Sequence, residues 1–391
     1  MTSVLGLVFL VIIAIFGKYS LDKLDVEKIG FNFLVYSGFY YLLLGIFSNP
    51  NILNILDLSV LKRSEFFFNF VLGWTGFLVG LQLHFKGIKR FPVKYYTLSV
   101  GHFFISFFII YLFLLGLIKL NVLTISYLQA LLLSIAGSMG SVLGIGLLVK
   151  ERTIRSVNAH FLQFTTAFDN VIGVFVLGIV FLVYQLNTLD FKDAFLANSF
   201  SYLIVILLAF FYKYLDNEFK TPEEEGLLIL GLILIVVGLA RYLHNSILFL
   251  SFLLGVLIIN MKVDTKKILM AVQSWEKPLN FILLFTIGLY MDFHVLTFKM
   301  NLLFWGVVLI MLLAKYLAGD FYQRFQLHHR HVEKENKLVL YGMSSLSLAM
   351  ILDAYFTNHN PILLKLLTLM VLSFYLTNAF VLYVIKVKEK K

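Results

Sequence analysis

Apolar runs of about twenty residues recur along this chain, and each is long enough for a helix to cross ~30 Å of hydrocarbon. Of 391 residues, 60% are hydrophobic and only 14% charged, too few polar groups to cover a water-soluble domain of this size. The mean hydropathy of +0.90 agrees. Alternating strand-length segments of the barrel type are absent, so the spans are helices, and the fold class expected is an all-α polytopic membrane protein. With no cysteine, disulfides, thiolate chemistry and Cys-ligated metals are excluded. The net charge of +10 is scattered singly or in small groups between the apolar runs, which argues against a nucleic-acid partner.

The runs fall near 2–17, 30–48, 66–83, 95–118, 122–149, 158–184, 196–215, 226–241, 244–260, 279–296, 301–319, 336–356 and 361–385. Nothing basic precedes Lys18, so the first run reads as a retained span and not as a cleavable signal. Cytoplasmic loops collect Lys and Arg, which tests the count independently. Loops after odd-numbered spans hold 24 basic residues; those after even-numbered spans hold six, namely Lys62, Arg63, Lys119, Lys192, Arg241 and Lys299. One missed or invented span would scramble this alternation from that point onward. Thirteen spans with the N-terminus outside and the C-terminus inside are therefore expected. The loops are short, so 1–391 reads as a single membrane domain, and all five prolines read as lying in loops or near span ends.

Lys365 can snorkel to an interface, which leaves Lys315, in span eleven, as the basic residue that no interface explains. Asp169 lies near the middle of span six. Ionisable groups at such depth mark a functional site or a buried pair. Asp169 and Lys315 could be a structural ion pair, or a pair that tunes a proton or cation site, since neutralising either partner frees the other. Small and hydroxyl residues cluster in mid-span at Gly137, Ser138, Gly140 and Ser141, and again at Gly342, Ser344, Ser345 and Ser347. Either cluster alone reads as close helix packing. Together they fit the interrupted helices that transporters with inverted repeats place at corresponding positions of their two halves. His328, His329 and His331 lack metal-site spacing, and His102, His160 and His294 read as lying near span ends. Asp353 reads as a helix-end residue, late in span twelve.

This arrangement resembles the monovalent cation/proton antiporter superfamily, in particular its bacterial thirteen-helix branch. The sixth helix of that family carries an Asp-Asp or Asn-Asp pair followed by a small residue; here the stretch is Asp169-Asn170-Val171-Ile172-Gly173. A basic residue on its eleventh helix pairs with the first acid, the place held here by Lys315. The fifth and twelfth helices of the family are broken and cross, where the two Gly/Ser clusters lie. Phe285 to Asp292 is similar to a family stretch closing helix ten, and Gly144 to Arg152 to the segment before the ion-site helix.

The resemblance implies inverted repeats and a core bundle that includes about 95–184 and 301–385, with the remaining helices forming a dimerising scaffold. It also implies exchange of Na⁺ or K⁺ for H⁺ by an elevator movement, a homodimer in the bacterial cytoplasmic membrane, and no cofactor or metal beyond the transported cation. One departure stands out. With Gly173 fixing the register, Asn170 occupies the position of the ion-binding second acid, and Asp169 is the first member, partner of Lys315. Shifting by one residue makes Asp169 the ion-site acid but displaces Gly173. An amide cannot release a proton, though its oxygen can ligate a cation. The alternative function is accordingly an antiporter-fold protein that has lost coupled transport and serves as a sensor or assembly subunit. An enzymatic role is not expected, because no outer loop gathers the acidic, His or Arg groups that would hold an activated substrate.

Overall fold

The computed structural model describes residues 37–53, 55–89, 91–141, 156–188, 190–216, 218, 221–261, 263–293, 298–326, 340 and 342–389. Span one, the Gly144 to Arg152 match, His294 and the histidines at 328, 329 and 331 lie outside them. The described helices are α1 (Phe39–Ser48), α2 (Leu58–Leu81), α3 (Phe85–Ile88), α4 (Val93–Lys119), α5 (Tyr127–Ser138), α6 (Ser156–Thr188) and α7 (Phe191–Leu215). They continue with α8 (Pro222–Tyr242), α9 (Ile247–Asn260), α10 (Thr265–Leu289), α11 (Phe298–Gln326), α12 (Ser345–Asn358) and α13 (Pro361–Glu389). Among the described residues, seven helical stretches are long and apolar enough to cross a membrane, and α1, α5 and α9 are shorter apolar helices. The protein is an all-α, multi-pass membrane protein.

Two of these elements differ from the sequence expectation. The tenth helix begins at Thr265, not near 279, because the Asp264 carboxylate caps its start by accepting from Lys266 N and Lys267 N at 3.0 and 3.4 Å. Pro278, expected at a span end, consequently lies inside α10. The twelfth helix starts only at Ser345, after an extended stretch.

The chain divides into two compact units: Met1–Lys89, Phe181–Met291 and Leu352–His359 form one, and Arg90–Val180, Asp292–Ile351 and Asn360–Lys391 the other. In the first unit, glycines let helix backbones touch. A Cβ on Gly76 would collide with the Leu248 carbonyl, and one on Gly255 with that of Phe77, so α2 and α9 meet without intervening side chains. Gly45 and Gly288 do the same for α1 and α10. Polar side chains close the helix ends. Asn49 donates to the carbonyls of Leu289 and Met291, both at 2.9 Å, where α10 stops.

At the α8–α9 turn, Gln185 donates to Leu243 O and His244 O. The buried Asp353 carboxylate accepts from Ser246 Oγ at 2.6 Å and Ile247 N at 3.1 Å, placing a negative group at the positive end of α9. Arg241 reaches the Phe356 carbonyl and pairs with Glu65, which also faces His359 at 3.8 Å. Lys267 pairs at 2.6 Å with Glu225, a buried carboxylate that also accepts from Tyr212 OH. Each of these contacts joins chain ends that the charge distribution assigns to the same side of the membrane.

In the second unit α4 meets α6 through long side chains. The Tyr96 ring packs on Phe164 and Phe168 at 5.2 and 5.3 Å between centroids. The same register places His102 opposite Asp169 further along.

Removing the Asp353 carboxylate strands the amides that begin α9. Asp353→Ala should lower stability by about 2–3 kcal/mol, and Asp353→Asn, which keeps an acceptor oxygen, by less. Denaturant unfolding of the detergent-solubilised protein measures both.

Candidate ion site

The second unit is interrupted at two places. Helix α5 stops at Ser138, and Met139 is extended, with φ −71° and ψ 138°. Gly140 then pairs antiparallel with Met343, and Ser141 N donates to Gly342 O at 3.2 Å. Two short extended segments therefore pair among the helices of this unit. Glycine is required at Gly140, because a Cβ there would press on Thr166 Cγ2 at 2.8 Å.

A broken helix in hydrocarbon exposes carbonyls that no water can satisfy, so side chains must. Ser347 Oγ donates to Ala136 O at 2.6 Å, and Asn378 Nδ2 to Met343 O at 3.1 Å. The buried Lys315 ammonium, brought in by α11, donates to Met139 O at 2.7 Å and Gly342 O at 2.6 Å. One cation thus ties the two strands together and lies at the carbonyl end of α5, where the helix dipole favours it.

Asp169 stands next to this pairing. A Cβ on Gly140 would lie 3.4 Å from its Oδ2, and Gly173, one turn along α6, faces the Met139 sulfur. Asp169 is fully buried, and its Oδ2 is 2.8 Å from His102 Nδ1, equally buried. With the carboxylate ionised, Nδ1 carries the donated proton. Among the described residues, Asp169 Oδ1, His102 Nε2, Ser106 Oγ and Asn170 Oδ1 have no hydrogen-bond partner, although all four are buried. Buried polar atoms are normally satisfied, so a group of orphans around one carboxylate calls for an explanation.

The residues singled out from sequence collect in this one unit. Gly137, Ser138 and Ser141 belong to the first interruption and Ser344 and Ser345 to the second, while Asp169 and Asn170 lie on α6 beside it. Gly137 packs against Ile110 and Met311. Ser138 Oγ bonds back to Ile135 O, and Ser344 Oγ accepts from Leu346 N at the start of α12. The direct Asp169–Lys315 ion pair expected from sequence is replaced. Lys315 spends its protons on two strand carbonyls, and a histidine holds Asp169 in its stead.

Sequence reasoning missed His102 and Asn378. His102 was read as lying near a span end, yet α4 begins at Val93 and puts it about 14 Å along the helix. An ionisable group at that depth was itself the signal. The Phe285 to Asp292 stretch closes α10, with Gly288 against α1, and belongs to the first unit up to Met291.

No protein-family model matches the sequence, and no curated protein matches it. Solved structures do. The sodium proton antiporter MjNhaP1 from Methanocaldococcus jannaschii, at pH 8, aligns with a TM-score of 0.63 and 14% identity, over 97% of this chain and 96% of that one. An electron-microscopy structure of the same antiporter gives a TM-score of 0.54 at 15% identity, covering 99% and 95%. The fold is that of a sodium/proton antiporter. At this identity the likeness carries the path of the backbone, and the chemistry must be argued from the side chains present.

Replacing the Lys315 ammonium with an apolar group of similar length would orphan two buried carbonyls. Lys315→Met should therefore destabilise the protein by about 3 kcal/mol. Lys315→Gln, which retains donors, should recover part of the loss in the same unfolding assay.

Proposed function

We propose that this protein exchanges a monovalent cation, Na⁺ or K⁺, for H⁺ across the bacterial cytoplasmic membrane, with Asp169 as the group for which the two compete. The observation that carries this reading is the Asp169 Oδ1 atom, buried without a partner beside the paired extended segments that follow α5 and precede α12. A carboxylate in apolar surroundings is costly to leave ionised and unpaired. Either a proton or a small cation can relieve that cost, and occupancy by one excludes the other. This mutual exclusion is the chemical requirement for exchange. Lys315 keeps its positive charge within Coulombic reach of Asp169, so the carboxylate need not attract a divalent ion to be balanced.

Thirteen spans, the N-out and C-in orientation, the homodimer and an elevator movement of the Asp169 bundle belong to the same proposal. Their support is the charge alternation and the antiporter fold.

Reconstituted in liposomes, the protein should change internal pH when Na⁺ or K⁺ is added outside, and Asp169→Asn should abolish the response while leaving the protein folded. Silence toward Na⁺, K⁺ and Li⁺ from mildly acidic to alkaline pH would sink active exchange. Retained exchange in Asp169→Asn would remove that residue from the mechanism.

A second reading rests on Asn170. Its amide stands where a second acid would be, and a site with one titratable carboxylate in place of two fits an antiporter-fold protein without coupled transport, serving as a sensor or assembly subunit. If wild type is silent, Asn170→Asp separates the cases. Proton-coupled flux gained by that change marks a transport scaffold lacking only its acid, and continued silence favours the non-transporting reading.

A further inference from the structure

The exchange reading leaves open which cation the site favours, and the histidine on Asp169 bears on that choice. We propose that His102 sets the cation preference of the site by holding Asp169 to a single free oxygen, which favours K⁺ over Na⁺ and Li⁺. This inference rests on Asp169 being the ion-binding carboxylate.

A carboxylate can meet a cation through one oxygen or through both. Here Oδ2 is committed to His102 Nδ1 at 2.8 Å and lies beside Gly140. Of the two oxygens, Oδ1 is the one without a hydrogen-bond partner. Two neutral, buried and unpartnered oxygens lie near these residues along the chain: Ser106 Oγ, one turn beyond His102 on the same face of α4, and Asn170 Oδ1 on the residue after Asp169. The hydrogen bond from His102 also draws electron density away from the carboxylate, as groups behind a metal ligand commonly do.

A cation meeting Asp169 then finds one partly screened carboxylate oxygen, with neutral rather than charged side chains at the neighbouring positions Ser106 and Asn170. Such a weak field cannot repay the large dehydration cost of Li⁺ or Na⁺ as well as it repays that of K⁺. Freeing Oδ2 would let the carboxylate bind with both oxygens, strengthen the field and shift the preference toward the smaller ions. His102 acts through Asp169 and is thus a positioning residue. Its conservative substitute is asparagine, whose Nδ2 can stand where Nδ1 does, whereas glutamine places its donor further out.

The test compares wild type, His102→Asn, His102→Gln and His102→Ala. The readout is the ratio of apparent KM for K⁺ and Na⁺ in proteoliposomes, together with the concentrations of KCl and NaCl that give half-maximal thermal stabilisation of the detergent-purified proteins. The ratio should move toward Na⁺ by about tenfold in His102→Ala and His102→Gln, the equivalent of one charge-assisted hydrogen bond, and stay near wild type in His102→Asn. Unfolding without added cation identifies any variant that has lost its fold, and the remaining variants then carry the comparison.

An unchanged ratio in His102→Ala or His102→Gln overturns the proposal. So does an asparagine variant displaced as far as alanine, or a wild type stabilised more by Na⁺ than by K⁺. A wild type that no monovalent cation stabilises overturns it as well. Binding ratios that shift as expected without any flux uphold the role of His102 and refute exchange. Flux with an unmoved ratio does the reverse.

Discussion

A peptide carbonyl in hydrocarbon must find a donor, and at the pairing of the two strands that requirement organises everything around it. Breaking α5 after Ser138 and starting α12 only at Ser345 removes helical partners from several carbonyls at once. The donors come from three different helices: Ser347 from α12 itself, Asn378 from α13 and Lys315 from α11. The interruption is therefore a joint property of four elements. Irregular backbone persists at this depth because each neighbour contributes one proton donor to it.

This commitment of Lys315 changes the electrostatics of the site. Lys315 gives two of its three donors to the backbone and makes no direct ion pair with Asp169, although its field still reaches the carboxylate. The carboxylate relies on an imidazole, which can hold it in place at a cost in buried polar surface. The labour expected of one lysine is thus divided. The cation secures the backbone, and the histidine orients the acid.

Much of this could be read in the sequence, for identifiable reasons. Apolar run length located α6, α7, α9 and α13 because hydrocarbon demands it residue by residue. The Gly/Ser clusters fall where α5 stops and where α12 starts, and Gly140 lets the backbone lie against Thr166 of α6. The start of α10 stayed hidden, since Lys266, Lys267, Glu276 and Lys277 depress its hydropathy although Asp264 caps it well. Side-chain partners were the least legible part. Which group meets Asp169 depends on how α4 and α6 align, and nothing in a single chain of letters states that Tyr96 meets Phe164 and Phe168 edge-on. The approximate depth of His102 could be counted from the sequence; its direction could not.

The glycine contacts of the first unit have a mechanical meaning. Side chains are the compliant layer of a helix interface, since rotamers can adjust when pressure changes, whereas backbone atoms in contact cannot. Where α1 meets α10 and α2 meets α9 through bare backbone, that layer is missing. Lateral pressure from a thicker or stiffer bilayer then has no soft interface to deform along these seams. Such helix pairs answer a change of bilayer by tilting as whole bodies, and the lipid has to adapt to them.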